Sequence, residues 1–219
     1  LAAAIRAAEL GAPVVVLEKM AAPGRKILIT GAGRCNVTNQ APLDSFVEQY
    51  FGQGRFLYPA FRHFFRPELL KLLQMRQVSV ITEPSGKIFP ASGQAMDVVQ
   101  ALYHQALDCG ARFWFQEPVQ EVVRENDRIT AVRTGKQILA ASSVVLTAGG
   151  SSWPSTGSSG DSYRLAEAIG HHIIPTRPAL VPLISPTPAI RRLSGLSCPN
   201  VEARLLAAGR PVGKSSGDL

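Results

Sequence analysis

The 219-residue chain is short of several things, and each shortage closes off a class of protein. Its 3 cysteines, at positions 35, 109 and 198, are odd in number and far apart, so a disulfide framework is not expected and a reducing cytoplasm is the default compartment. No apolar run approaches the length of a membrane span, and the alanine-rich first ten residues carry Arg6 and Glu9, which the apolar heart of a secretory signal would not. Acids are scarce, 16 against 23 lysines and arginines, for a net charge of +7. The bases are dispersed, with no arginine-rich block or aromatic-basic repeat, so the expected partner is a small-molecule substrate rather than nucleic acid or a membrane. Oligomeric state is left open. The 4 histidines show no H-E-x-x-H or clustered Cys/His spacing, and no metal site is expected. With 46% hydrophobic residues the chain has material for one sizeable core, which excludes wholesale disorder.

What is present starts with half of a nucleotide-binding pattern. Residues 1–10 are strong helix formers, Gly11 stands where a helix cap belongs, and residues 14–17 form an apolar run of the kind buried in a parallel sheet. Glu18 closes that run. Helix, glycine turn, apolar strand and terminal acid make the second half of a dinucleotide-binding βαβ unit, in which the acid accepts hydrogen bonds from a ribose diol. Glu18 is therefore the candidate ribose ligand. The G-x-G-x-x-G turn that should open such a unit would precede Leu1, so the chain is expected to be a piece of a longer protein.

Residues 24–39, GRKILITGAGRCNVTN, pack glycines, amides and two arginines around a short apolar centre, and read as a ligand-cradling loop. Helices are expected over 43–50 and 56–75, the second broken near Pro67, with strands at 78–82 and 87–89 around a Pro-Ser-Gly turn. A helix over 95–109 ends at Gly110. Strands at 112–115, 120–125, 129–134 and 137–140 are expected to form a small antiparallel meander, followed by a buried strand at 143–147. Ligands in open α/β sheets sit at the carboxyl ends of strands, which makes Ala148, Gly149 and Gly150 a second cofactor contact; a plain strand-to-loop turn is the alternative. A small, polar loop over 151–162 leads to a helix at 163–169. Prolines at 175, 178, 182, 186 and 188 then mark a change of module. The expected architecture is α/β: an incomplete Rossmann-like dinucleotide-binding domain over 1–176 with its antiparallel meander, and the start of a β-rich domain over 177–219.

Three smaller patterns need weighing. Cys35 sits beside Arg34, which could lower a thiol's pKa, but it has no C-x-x-C partner, and packing or cofactor contact is favoured over redox catalysis. His171 and His172 would point to opposite faces of a strand. Residues 209–215, GRPVGKS, resemble a phosphate-binding loop, yet Ala208 replaces its first glycine, and a hairpin turn is the expected role.

Four motifs in order, PGRKILITGAGRCNVTN at 23–39, GKIFPAS at 86–92, LTAGGSSWPSTGSSGDSY at 146–163 and RPALVPL at 177–183, resemble the BaiN-like (YhiN-like) NAD(P)/FAD-dependent flavoproteins. The resemblance implies a two-dinucleotide-type flavoprotein fold with FAD in the first domain and a β-rich domain inserted after RPALVPL. It implies an oxidoreductase that takes hydride from NAD(P)H through the flavin to an acceptor such as an activated double bond, this chain by itself being inactive. By position, Glu18 with Lys19 beside it would serve the adenosine ribose, and Gly24, Arg25 and Lys26 would line the adenosine and pyrophosphate side. Gly31, Gly33, Arg34, Cys35 and Asn36 would approach the pyrophosphate, ribityl chain or flavin. Val119 would offer its backbone to adenine, and Gly149 and Gly150 would pass close to the cofactor. No catalytic residue is assigned. The alternatives are a flavin-containing accessory or RNA-associated protein without turnover, and a flavin-free nicotinamide dehydrogenase.

Overall fold

Alanine-rich sequence makes helix α1 (Ala2–Glu9), and Gly11 stops it: at φ +82° its N–H donates to the Ala8 carbonyl at 2.9 Å, while Ala12 N–H reaches the Ala7 carbonyl at 3.1 Å. That paired closure needs a left-handed residue, which glycine adopts without a Cβ clash. The computed structural model describes all residues except 51, 179–183, 194, 197, 199–200 and 218–219. Its described part divides into two compact units, Leu1–Ile173 and Ile174–Leu219.

After the cap the chain enters strand β1 (Val15–Glu18), helix α2 (Arg25–Ile29), a 3-10 turn over Thr30–Gly33 and strand β2 (Thr38–Asn39). Helices α3 (Leu43–Glu48), α4 (Tyr58–His63) and α5 (Arg66–Met75) follow, the last two separated at Phe64 and Phe65, with Pro67 in the first turn of α5. Proline is tolerated there because the first-turn N–H groups have no partner within the helix. Strand β3 (Val80–Thr82) and β4 (Lys87–Pro90) pair antiparallel, with β2 on the other edge of β4. Helix α6 (Ala95–Asp108) leads to β5 (Arg112–Phe115), and β6 (Val119–Glu125), β7 (Arg128–Thr134) and β8 (Ile138–Ala140) form an antiparallel meander before α7 (Asp161–Ala168). The β6–β7 turn is Asn126-Asp127 at φ +46° and +64°, the left-handed pair that two-residue hairpins favour.

Three expectations are corrected. Residues 112–115 do not join the meander: β5 pairs in parallel with β1, Val15 opposite Arg112 and Glu18 opposite Phe115, with α6 lying between the two strands in sequence. Helix α6 makes that crossover possible by carrying the chain back over the sheet. Residues 143–147 are apolar but join no ladder, and Val145 is 68% exposed, so hydrophobicity alone did not make a buried strand. His171 and His172 are exposed and lie outside regular structure rather than on a strand.

The core sits on α6. Its Val98, Ala101, Leu102 and Ala106 pack with Ala4, Ile5 and Ala8 of α1, with Leu72 and Leu73 of α5, and with Cys35. Small residues on α1 let the two helices approach closely, while each buried Leu or Ile contributes on the order of 2 kcal/mol. In the second unit, helix α8 (Pro188–Arg191) precedes a hairpin of β9 (Val201–Ala207) and β10 (Arg210–Gly217). Its turn is Ala208-Gly209, both at positive φ, so 209–215 is turn and strand. Of the RPALVPL motif, residues 179–183 lie outside the described residues.

Candidate functional site

Three segments carry the candidate site, beginning with the carboxyl end of β1. Glu18 is held there by its neighbours: its Oε1 accepts the Met20 N–H at 2.9 Å, and its carbonyl accepts the Glu117 N–H at 3.0 Å. Gln116 N–H adds a bond to the Met20 carbonyl at 3.1 Å, fastening the corner after β5 to the corner after β1. Glu117 is buried, with Oε1 accepting from Thr134 Oγ1 at 2.6 Å and Oε2 facing Lys136 Nζ at 2.7 Å. The Lys136 ammonium first, then the Thr134 hydroxyl, hold its carboxyl below the usual range. This locks the start of β6, and thus Val119, beside the β1 corner. The Val119 carbonyl accepts a long 3.4 Å bond from Arg164, whose other nitrogen gives 2.8 Å to the Gln120 carbonyl.

The second segment is the turn between α2 and β2. It runs through Gly31, Ala32 and Gly33 at φ +55°, +55° and +86°, and Cys35 at +62°. A Cβ on Gly31 would stand 2.8 Å from the Asn36 nitrogen and 2.8 Å from the Phe89 ring, so that glycine is required by its surroundings; one on Gly33 would meet nothing nearer than the Leu28 carbonyl at 3.9 Å. Gly24, at the start of α2, is pressed against Val99 of α6. Cys35 N–H donates to the Thr30 carbonyl at 3.0 Å, and its side chain is buried in the core. Burial pushes the thiol upward and the Thr30 hydrogen bond only partly opposes it, so Arg34 does not activate it. The Arg34 guanidinium instead bonds Glu83 at 2.8 Å and lies 4.1 Å from the Phe89 ring centre. Arg25, Gly33 and Asn36 are exposed.

The third segment, 148–161, comes back to the same corner from far along the chain. Lys19 Nζ donates to Asp161 at 2.6 Å and to Ser159 Oγ at 2.6 Å, and Lys26 Nζ donates to the Ser152 carbonyl at 2.5 Å. Gly157 sits against Met20, and Gly160 N–H closes on the Gly150 carbonyl at 3.0 Å. Gly149 holds φ +79° over Ser158, while Gly150 lies beneath the Tyr163 hydroxyl. Lys19, then Ser159, keep the Asp161 carboxyl below its ordinary range. The structure thus brings Glu18, Lys19, Lys26 and the Ala148–Gly150 segment together, but uses both lysines to fasten the loop. Sequence reading missed Ser159, Asp161 and Ser162. The available signal was an acid opening a helix directly after a Gly-Ser run, as a first-turn residue does.

The arrangement fits a nucleotide cofactor on two observations. Gly33 presents backbone to open space in a conformation that packing does not impose on it, and among the described residues Ser162 Oγ, in the first turn of α7, is buried with no hydrogen-bond partner. A ligand bearing ribose and phosphate groups supplies what such a hydroxyl and such a backbone lack.

A parallel strand pair with a crossover helix and an acid at the end of the first strand define a Rossmann-like domain. The profile of the HI0933-like protein Rossmann domain matches residues 1–212, and the chain belongs to that family, as its four motifs led us to expect. It is 28% identical over 201 residues to the ribosomal RNA dihydrouridine synthase of Escherichia coli, covering 89% of this chain and 48% of that protein. It is 33% identical over 174 residues to the 3-dehydro-bile acid delta(4,6)-reductase of Clostridium scindens, covering 78% of this chain and 41% of the relative. A glycine oxidase from Bacillus cereus is similar at 19% identity and a TM-score of 0.42, over 75% of this chain and 53% of that one. The chain spans about half the length of these curated relatives. No described helix is long and apolar enough to cross a membrane.

Proposed function

We propose that the protein to which this chain contributes is an FAD-dependent oxidoreductase that draws hydride from NAD(P)H and reduces an activated carbon–carbon double bond. The observation that supports it best is the fastening of the 148–161 loop by Lys19 onto the corner that carries Glu18, and by Lys26 onto the first turn of α2. Bound flavin would supply hydride acceptance and delivery; the protein's share is binding, orientation and exclusion of competing partners. In that division of labour Glu18 accepts hydrogen bonds from ribose hydroxyls, with its carboxylate already aimed by Met20 N–H. Gly33, Arg34 and Asn36 give exposed donors along the pyrophosphate, Val119 gives backbone to the adenine, and Gly149 and Gly150 allow close approach. Lys19 and Lys26 hold the 148–161 loop over this edge. The names of the two curated relatives both describe addition of hydrogen to an unsaturated bond, which supports the acceptor class.

A uracil ring in RNA is a second acceptor, supported by the first relative's name. The test is spectroscopic. The purified protein should show the visible flavin band, NADH or NADPH should bleach it without oxygen, and either an enone or a uridine-containing ribosomal RNA transcript should restore it. A protein that binds no flavin, or whose flavin neither nicotinamide reduces, is not this enzyme.

A further inference from the structure

We infer that Trp153 is a stacking platform that holds a planar, electron-poor ring beside the site proposed above; the inference rests on that reading. Trp153 stands at φ +58° and ψ +65°, a left-handed conformation that is an outlier for a bulky residue, and the residue is 65% exposed. Neither property stabilises the fold: a left-handed bulky residue is strained, and a large aromatic left in water forgoes its burial. The surrounding contacts nevertheless fix the position. The Trp153 carbonyl accepts both the Thr156 N–H at 3.0 Å and the Thr156 hydroxyl at 2.7 Å. On the other side, Lys26 from the first turn of α2 grips the Ser152 carbonyl, and Pro154 fixes the next φ. Strain that is held in place and yields only an exposed indole, three residues after Gly150, points to use of the indole face.

That face is electron-rich. It attracts flat cationic or electron-poor rings through its quadrupole, and offers no hydrogen bond that would discriminate among them. Two rings of this chemistry belong to the proposed reaction, the nicotinamide of the donor and the conjugated ring of the acceptor.

Trp153→Phe isolates this indole by difference. In the purified protein the emission that Trp153→Phe removes should be red-shifted, accessible to acrylamide, and quenched saturably by NAD⁺ or by uridine; whichever quenches identifies the ring. Trp153→Ala should keep the flavin content and raise KM for that ring's owner about tenfold, with kcat little changed, while Trp153→Phe retains most of the affinity. An indole already shielded before any ligand is added overturns the inference, as does absence of saturable quenching by both probes or an unchanged KM in Trp153→Ala. The fluorescence arm needs no turnover, so it stands or fails apart from the reductase assay.

Discussion

The two glycine-rich segments of the site, 24–39 and 148–161, have similar composition and opposite construction. The first is held by shape: Gly24 is jammed on Val99, Gly31 on Phe89 and the Asn36 backbone, and Cys35 is built into the helical core. The second is held by charge and hydrogen bonds, through Lys19, Lys26 and Asp161, at positions where water competes. Packing of the first kind is close to all-or-none, whereas partly exposed ion pairs are individually weak and screened. We therefore expect the first wall to be the more rigid of the two and the second the more mobile.

Substitutions can break that contrast or sharpen it. The largest effect belongs to Gly31→Ala, which adds a Cβ where 2.8 Å separates it from backbone and ring and does so at positive φ. We expect a loss of about 3 kcal/mol in urea unfolding, against about 1 kcal/mol for Gly33→Ala, where only the backbone conformation resists. Equal costs at the two positions would show that crowding does not govern the turn. Next, iodoacetamide near neutral pH should modify Cys35 more than about tenfold slower than Cys198, because the Cys35 thiol is buried and its pKa raised. Fast alkylation of Cys35 without unfolding would place the mobile wall on the wrong side.

Lys19→Met should leave global stability within about 1 kcal/mol while speeding amide exchange over 150–161 about fivefold. A global loss as large as that of Gly31→Ala would mean the loop is part of the core after all. The smallest effect is that of acid. Asp161 has a carboxyl pKa below its unfolded value, so its contribution is complete above that unfolded value and fades as pH falls through the lowered folded one. The loop's protection, measured against the intrinsic exchange rate at each pH, should be flat from neutral pH down to about pH 5 and fall below about pH 4, and Asp161→Asn should abolish that fall. A loop whose exchange follows the 24–39 turn at every pH would remove the distinction.

Much of this was legible from residues close together in sequence. The α1 cap, the apolar β1 run and Glu18 at its end are local patterns, and the Asn126-Asp127 turn is written in two residues. Family resemblance rested on four such local motifs. What escaped was decided by distant partners. Nothing in residues 112–115 says that they pair with β1 rather than with the next strand, because an aromatic-rich strand suits either neighbour. An apolar run such as 143–147 becomes a ladder only where a strand edge waits for it. By resemblance Lys19 stands beside the ribose ligand and Lys26 lines the adenosine and pyrophosphate side; their side-chain partners stand more than a hundred residues away, at Asp161 and Ser152.

The parallel pairing of Val15 with Arg112 also has a bearing on how the protein is made. A ribosome that has just released β1 must add roughly another hundred residues before its partner strand exists, several seconds or more at ordinary rates of synthesis. Through that interval Val15, Val16 and Leu17 have no β5 to lie beside, and the strand end that carries Glu18 has no neighbour. We expect slower elongation between codons 20 and 110 to prolong the exposure of β1 more than slowing it anywhere later, which pulse proteolysis of stalled nascent chains would measure.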